Sequence, residues 1–345
     1  MSDVQAVTDT LGRPMRDLRV SLTDRCNFRC DYCMPAEIFG EHYEFLHRRE
    51  ILTFEEIERL IRIFVRFGVK KVRLTGGEPL LRKDVPVLVG MLSKIDGVDD
   101  LTLTTNGLLL SRYAALLSEA GLQRVTVSLD SLDDSIFRRM NGQDFGVEPV
   151  LEGIESAIEV GLSPIKINCV VIRGVNDHTI VDIARRFKGS GNIVRFIEYM
   201  DVGNRNNWNL TQVVNASEIC ERINAEFPIE PLDPNYRGEV ANRFAYADGT
   251  GEIGIVASVS QPFCGDCARA RISTDGRLVT CLFAGGGESL RDSMRAGCSD
   301  AEIEEIIRRI WTGRTDRYSE ERSDNTDNDG YARSGKKIEM YQIGG

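Results

Sequence analysis

Residues 18–34 read LRVSLTDRCNFRCDYCM, a short run of alternating apolar residues that opens onto Cys26, Cys30 and Cys33 in the spacing C-x3-C-x2-C. The intervals between the cysteines leave no room for regular helix or strand. Three thiolates on one loop after a strand suit an iron–sulfur cluster whose fourth iron has no protein ligand. Zinc is the other metal that soft sulfur ligands favour, but zinc sites normally close with four ligands in paired motifs. The first histidine of the chain is His42, so no fourth ligand lies close by.

Outward from this loop, strand-like and helix-like runs alternate from about residue 15 to residue 200. KKVRLT (70–75), DLTLTTN (100–106), RVTVSLD (124–130), PIKINCVVI (164–172) and NIVRFIEYM (192–200) read as strands after the first. Helical patterns occupy 53–67, 84–94, 111–121, 147–161 and 177–189. In the first helix Ile57, Leu60, Ile61 and Phe64 share a face, behind a capping box of Thr53 and Glu56. Six strands with intervening helices predict a parallel sheet with right-handed crossovers. Strands of a doubly covered parallel sheet usually read as continuous apolar runs. Several of these alternate instead: Val72 and Leu74 oppose Arg73 and Thr75, and Ile165 and Ile167 oppose Lys166 and Asn168. One greasy face and one polar, cationic face predict a curved partial barrel with a wet interior.

Beyond Met200 the texture changes to shorter strand-like runs, with an Asp275–Gly276 hairpin signal and helices at 288–296 and 300–312. Residues 313–335 are almost all polar or charged and read as mobile. The expected segments are an arm over 1–14, the barrel over 15–215, a second region over 216–315 and a polar tail over 316–345 that finishes in Gly344 and Gly345.

The chain has 345 residues, 42% of them hydrophobic and 28% charged, a net charge of −10 and a pI near 5.1. That balance argues against broad binding to nucleic acid or an anionic membrane, which requires a basic face. No stretch reaches the roughly 18 apolar residues of a membrane helix, and the first twenty residues lack the apolar core of a secretory signal. Six of the nine cysteines fall in two tight groups. Such grouping reads as metal ligation in a reducing compartment, hence the cytoplasm.

The second group, Cys264, Cys267 and Cys281, has the spacing C-x2-C-x13-C. Its chemistry leaves both a three-cysteine [4Fe–4S] cluster and zinc open. Cys169, Cys220 and Cys298 read as incidental thiols.

C-x3-C-x2-C with Tyr32 before its last cysteine resembles the signature of the radical S-adenosylmethionine (SAM) enzymes, whose core is a (βα)6 partial TIM-like barrel. With RLTGGEPLLR (73–82), LTTNG (103–107), VSLDSLD (127–133), RFIEYMDVG (195–203), FCGDCARARIS (263–273) and the terminal Gly-Gly, the chain resembles the GTP 3′,8-cyclase family of molybdenum cofactor biosynthesis. The resemblance implies an α/β partial barrel with a C-terminal α+β extension, two [4Fe–4S] clusters and SAM. By it, Cys26, Cys30 and Cys33 hold the SAM cluster, and Cys264, Cys267 and Cys281 hold the second. Tyr32, Gly77, Ser128 and Met200 match SAM contacts. Arg19, Arg73, Thr104 and Lys166 match GTP contacts, with Arg195 as a further phosphate candidate. Arg269 and Arg271 match the family's essential arginine pair, which also contacts GTP, and Gly344–Gly345 its catalytic tail.

The implied reaction begins when a 5′-deoxyadenosyl radical takes the C3′ hydrogen of GTP. C3′ then attacks C8. Implied partners are GTP, a flavodoxin-type electron donor and the downstream cyclic pyranopterin monophosphate synthase, with no nucleic acid and no membrane, in a monomer or homodimer. Two other functions fit parts of the pattern: a peptide-modifying radical SAM enzyme with an auxiliary cluster, and a non-catalytic iron–sulfur protein.

Overall fold

The computed structural model describes residues 7–40, 42–326 and 337–344. Six strands alternate with helices along the first half: β1 (Asp17–Ser21), α1 (Phe54–Arg66), β2 (Lys71–Thr75), α2 (Val85–Leu92), β3 (Asp100–Thr105), α3 (Leu110–Glu119), β4 (Arg124–Ser128), α4 (Asp134–Asn141), α5 (Glu148–Glu159), β5 (Lys166–Val171), α6 (Ile180–Phe187) and β6 (Ile193–Glu198). The second half adds α7 (Ala216–Asn224), β7 (Ile229–Leu232), β8 (Asn242–Tyr246), β9 (Glu252–Val256), β10 (Arg269–Ile272), β11 (Arg277–Val279), β12 (Glu288–Ser289), α8 (Leu290–Arg295), α9 (Asp300–Thr312) and α10 (Met340–Ile343).

All twelve strands belong to one sheet in the order β12-β11-β10-β1-β2-β3-β4-β5-β6-β9-β8-β7. From β10 through β9 the pairings are parallel, and antiparallel strands finish both flanks. The expected parallel six-stranded core is present. The later region does not simply follow it, because β10 pairs with β1 and β9 pairs with β6. Among the described residues no helix is long and apolar enough to cross a membrane.

The alternation of side chains explains how the core forms. Val72, Leu74, Leu101, Leu103, Val125, Val127, Ile165 and Ile167 are buried on the helix-facing side. They meet α1, whose Ile57, Leu60, Ile61 and Phe64 are almost wholly buried, and its counterparts. The capping box starts α1 as expected, with Thr53 Oγ1 accepting from the Glu56 amide at 3.2 Å and Glu56 accepting from the Thr53 amide at 2.7 Å. The Asp275–Gly276 turn joins the antiparallel pair β10 and β11. The reading above omits α4. Its signal was present: Asp133 caps the amides of Ser135 and Ile136, and Gly142 closes the helix at φ 61°.

The segment read as mobile departs from that expectation over residues 313–326, which the structure describes. Two of its arginines have buried partners. Arg314 faces Asp9 and Asp316, while Arg322 pairs with Asp201 at 2.9 Å and donates to the Ser258 carbonyl at 2.7 Å. A polar sequence signals disorder when its charges can only face water; here they replace water inside a fold. Gly345 lies outside the described residues.

Candidate active site

The loops after β1, β2, β3, β4 and β6 all emerge at the carboxyl ends of parallel strands, where such barrels place their chemistry. They deliver Cys26, Cys30, Cys33, Tyr32, Gly76–Glu78, Asn106, Asp130 and Met200 to one large cavity. The second triad enters it from the opposite end. Cys264 and Cys267 precede β10, which runs parallel to β1, and Cys281 follows the antiparallel β11. Between the two ends the wall carries Arg19, Arg73, Thr104, Ser128, Lys166, Arg195, Arg269 and Arg271. Counting its open mouth, the cavity holds about 2390 Å³ of empty space.

The cysteine loop is seated on the Gly76–Gly77 turn. The Gly77 amide donates to the Thr23 carbonyl at 2.7 Å, and the Glu78 amide to the Arg25 carbonyl at 2.8 Å. A Cβ on Gly77 would fall on the Arg25 carbonyl oxygen, and one on Gly76, at φ 137°, on that of Thr23. These glycines therefore admit the backbone of the cysteine loop itself. Glu78 joins the next strand: its carboxylate accepts from Thr105 Oγ1 at 2.8 Å and the Asn106 amide at 2.7 Å. Burial raises the Glu78 carboxyl to about 7 against these donors. Tyr32 donates to Asp130 at 2.7 Å, and the Val170 amide donates to the other Asp130 oxygen at 2.8 Å, so the tyrosine is held across β4 and β5.

Register makes the cationic wall an array. Arg271 of β10 lies opposite Arg19 of β1, and Arg19 opposite Arg73 of β2. Registered neighbours on parallel strands point to the same face about 4.8 Å apart. Burial, then Arg271, Arg73 and Arg269, push the Arg19 guanidinium well below its ordinary value. Arg73 donates through Nη1 to Thr104 Oγ1 at 2.8 Å and Thr126 Oγ1 at 2.9 Å. Burial, then Arg195, Arg124, Lys71 and Arg73, lower Lys166 to about 7. Like charges crowded in this way call for an anion.

The thiols fit the implied clusters. Burial pushes Cys26 up to about 12, and raises Cys30 and Cys33 as well. As thiolates they require a cationic centre, which iron supplies. In the second triad burial also raises the Cys267 thiol, but Arg269 and Arg314 outweigh it and bring it to about 6. Among the described residues no three His, Cys, Asp or Glu side chains converge on a single metal ion.

Every described site residue expected from the sequence lines this cavity except Gly344. Gly344 reaches its edge, where its carbonyl accepts from Arg271 Nη1 at 2.7 Å. The reading missed Lys71, Asp130, Asn106, Tyr236, Arg13 and Arg314, which also line it. Lys71 was accessible, since it shares strand parity with Arg73 and Thr75. Arg13 and Arg314 carried no local signal.

The chain matches the model described as "Radical SAM superfamily" over residues 20–187 and "Molybdenum Cofactor Synthesis C" over residues 192–320. It is 53% identical to a protein of Acidothermus cellulolyticus named GTP 3′,8-cyclase, covering 99% of this chain and 95% of the relative. A Xanthomonas axonopodis pv. citri protein of the same name is 50% identical, covering 98% of each. One from Staphylococcus aureus is 46% identical, covering 99% of this chain and all of the relative. In fold, the chain resembles the solved structure of anSMEcpe with bound AdoMet and a peptide, with a TM-score of 0.54, 15% identity and coverage of 87% and 83%. With such identity over nearly its whole length, the chain belongs to the GTP 3′,8-cyclase family, within the radical SAM superfamily.

Proposed function

We propose that this chain converts GTP to (8S)-3′,8-cyclo-7,8-dihydroguanosine 5′-triphosphate, the first step of molybdenum cofactor biosynthesis. The observation that carries the reading is the in-register row of Arg271, Arg19 and Arg73 on the wall between the two cysteine triads. A triphosphate is the anion that such a row, with Lys166 beside it, can accept in several charge-assisted hydrogen bonds. Its relatives carry the name of that activity.

Cys26, Cys30 and Cys33 would hold a cluster that, with SAM bound, would supply radical chemistry for abstraction of the C3′ hydrogen. The protein's task is to hold C3′ towards that end of the barrel and to keep water away. Arg19, Arg73, Thr104 and Lys166 grip the phosphates and fix the nucleotide's depth. Tyr32, Gly77, Ser128 and Met200 receive SAM at the carboxyl ends of the strands. Arg269, Arg271 and Gly344 close the site on the β1 flank, and Cys264, Cys267 and Cys281 would hold the second cluster.

The same reading makes 1–14 an arm, 15–215 the barrel, 216–315 the second-cluster region and 316–345 the tail. It places the enzyme in the cytoplasm with a flavodoxin-type donor and a downstream cyclic pyranopterin monophosphate synthase.

The test is anaerobic. Reconstituted protein is given dithionite, SAM and GTP, and 5′-deoxyadenosine is followed together with GTP loss, beside Arg269→Ala. Coupled formation of 5′-deoxyadenosine and cyclised nucleotide, lost in the variant, supports the reading. SAM cleavage indifferent to GTP refutes the substrate.

A further inference from the structure

A buried ionic group behind the second triad has no part in the reaction outlined above. Arg13 is wholly buried and Arg314 is 4% exposed, in a protein where such side chains usually reach water. Asp9 lies between them, 2.5 Å from Arg13 Nε and 3.5 Å from Arg314 Nη1. Its other oxygen accepts from the amides of Leu11 and Arg13, so a tight turn of the N-terminal arm presents it. Arg13 Nη1 donates to the carbonyls of Cys264 and Asp316, each at 2.8 Å. Arg314 donates to the Cys267 carbonyl at 2.7 Å and to Cys267 Sγ at 3.3 Å. Asp316 holds its Nε at 3.1 Å, and its plane lies 4.7 Å over the Trp311 ring. Arg269 Nη2 donates to the same sulfur at 3.3 Å. Arg13 lines the cavity, and its Nη2 is buried with no partner among the described residues.

Three guanidiniums against two carboxylates leave a net positive charge beside three thiolates. Removing a charge from water is costly, and the arrangement persists only if something anionic completes it. A cluster held by three thiolates is anionic and gains a further negative charge on reduction. Hydrogen bonds to its sulfurs and nearby positive charge favour the reduced form.

We propose that Arg314 is a positioning residue which, locked by Asp9, Asp316 and Trp311, sets the reduction potential of the second cluster through its hydrogen bond to Cys267. The N-terminal arm thereby belongs to the second cluster's surroundings, although it lies in sequence beside the first. The inference rests on Cys264, Cys267 and Cys281 being cluster ligands.

The experiment uses the full chain with Cys26, Cys30 and Cys33 changed to Ala, reconstituted anaerobically so that only the second triad can hold iron. Iron is counted, and the cluster is titrated against potential by electron paramagnetic resonance. Arg314→Gln is expected to lower the reduced-to-oxidised ratio at a fixed potential about tenfold, which is about 59 mV for one electron. Arg314→Lys is expected to fall between, and Arg112→Gln on the exposed side of α3, the same change in charge, to leave the potential in place. An unchanged potential in Arg314→Gln with iron retained overturns the proposal, as does an equal shift in Arg112→Gln. If Arg314→Gln holds no iron, Asp9→Asn decides: it leaves the guanidinium but loosens it, and an unshifted potential overturns the idea. Absence of iron from the parent triple variant refutes the ligand assignment, and the proposal falls with it.

Discussion

Arg271 donates from Nη1 to the backbone carbonyl of Gly344, 2.7 Å away, with its guanidinium buried at the cavity wall. The two residues stand at one end of a docking chain. Tyr341 meets Tyr43 hydroxyl to hydroxyl at 2.8 Å, and Lys337 reaches Asp201 at 3.0 Å. Gly344 has φ 67°, and a Cβ there would fall on the Thr75 side chain. Gly344→Ala therefore meets both left-handed strain of about 1–2 kcal/mol and steric overlap. The expected result is about a tenfold or greater loss of cyclised nucleotide with an unchanged melting temperature, measured beside protease sensitivity of residues 337–344.

Gly77→Ala should act on the first cluster. The new methyl would displace the Arg25 carbonyl, and the loop bearing Cys26 with it. Iron content after reconstitution is expected to fall by about half, since the second triad is remote from this turn. Retention of full iron and of SAM cleavage would contradict the role given to the glycine pair.

Lys166 sets a proton-linked prediction. In the free site it titrates near 7, because burial and the surrounding cations disfavour its charge. A triphosphate favours the charged form, so GTP should raise that value. At pH 8 free Lys166 is mostly neutral and bound Lys166 mostly protonated, so binding takes up a proton. Calorimetry at pH 8 in buffers of different ionisation enthalpy should show the uptake, and affinity should weaken from pH 7 to 9. Lys166→Gln should abolish the uptake and cost about 1.5–3 kcal/mol of binding, the range for hydrogen bonds to charged groups.

Arg73 divides one nitrogen between two threonine hydroxyls and keeps the rest of its fork for the cavity. A lysine retains the charge and loses the fork. Arg73→Lys is expected to weaken GTP binding about tenfold, while 5′-deoxyadenosine formed without GTP stays at its basal level. Equal binding by the variant would argue for a purely electrostatic role.

Asp201 is 1% exposed and bonded to Arg322, Lys337 and Tyr318. Burial disfavours the Asp201 carboxylate, but Arg322 and Lys337 outweigh it and hold the group below its ordinary value. A depressed carboxyl contributes stability above its unfolded value, and loses it as pH falls through the folded one. Asp201→Asn strands two buried cations, which costs about 3–5 kcal/mol where such a pair is broken. Thermal unfolding at pH 7 should show the loss, and the difference from the parent should shrink towards pH 3.

Much of this was legible along the chain because it is local. Strand parity at Arg73, Thr104 and Lys166 forecast which side chains face the cavity, and the capping box forecast the start of α1. The pairing of β10 with β1 was not legible, since about 250 residues separate Asp17 from Arg269 and no periodicity records which edges meet. Arg13 and Arg314 escaped for the same reason. Each looks like a solvated charge until Asp9, Trp311 and the carbonyls of Cys264 and Cys267 surround it.

The pairing of β10 with β1 also governs how the polypeptide can mature. During synthesis β1 is among the first strands to emerge, yet its outer neighbour is complete only at Ile272, and β6 must wait for Glu252–Val256. Until then the nascent barrel carries two unsatisfied edges, each a template for mispairing with another copy. A truncated product ending near residue 191, where the two matched family models meet, should therefore accumulate as aggregates. Soluble yield should fall when translation through the last third of the message is slowed or interrupted, since the edges then stay open longer.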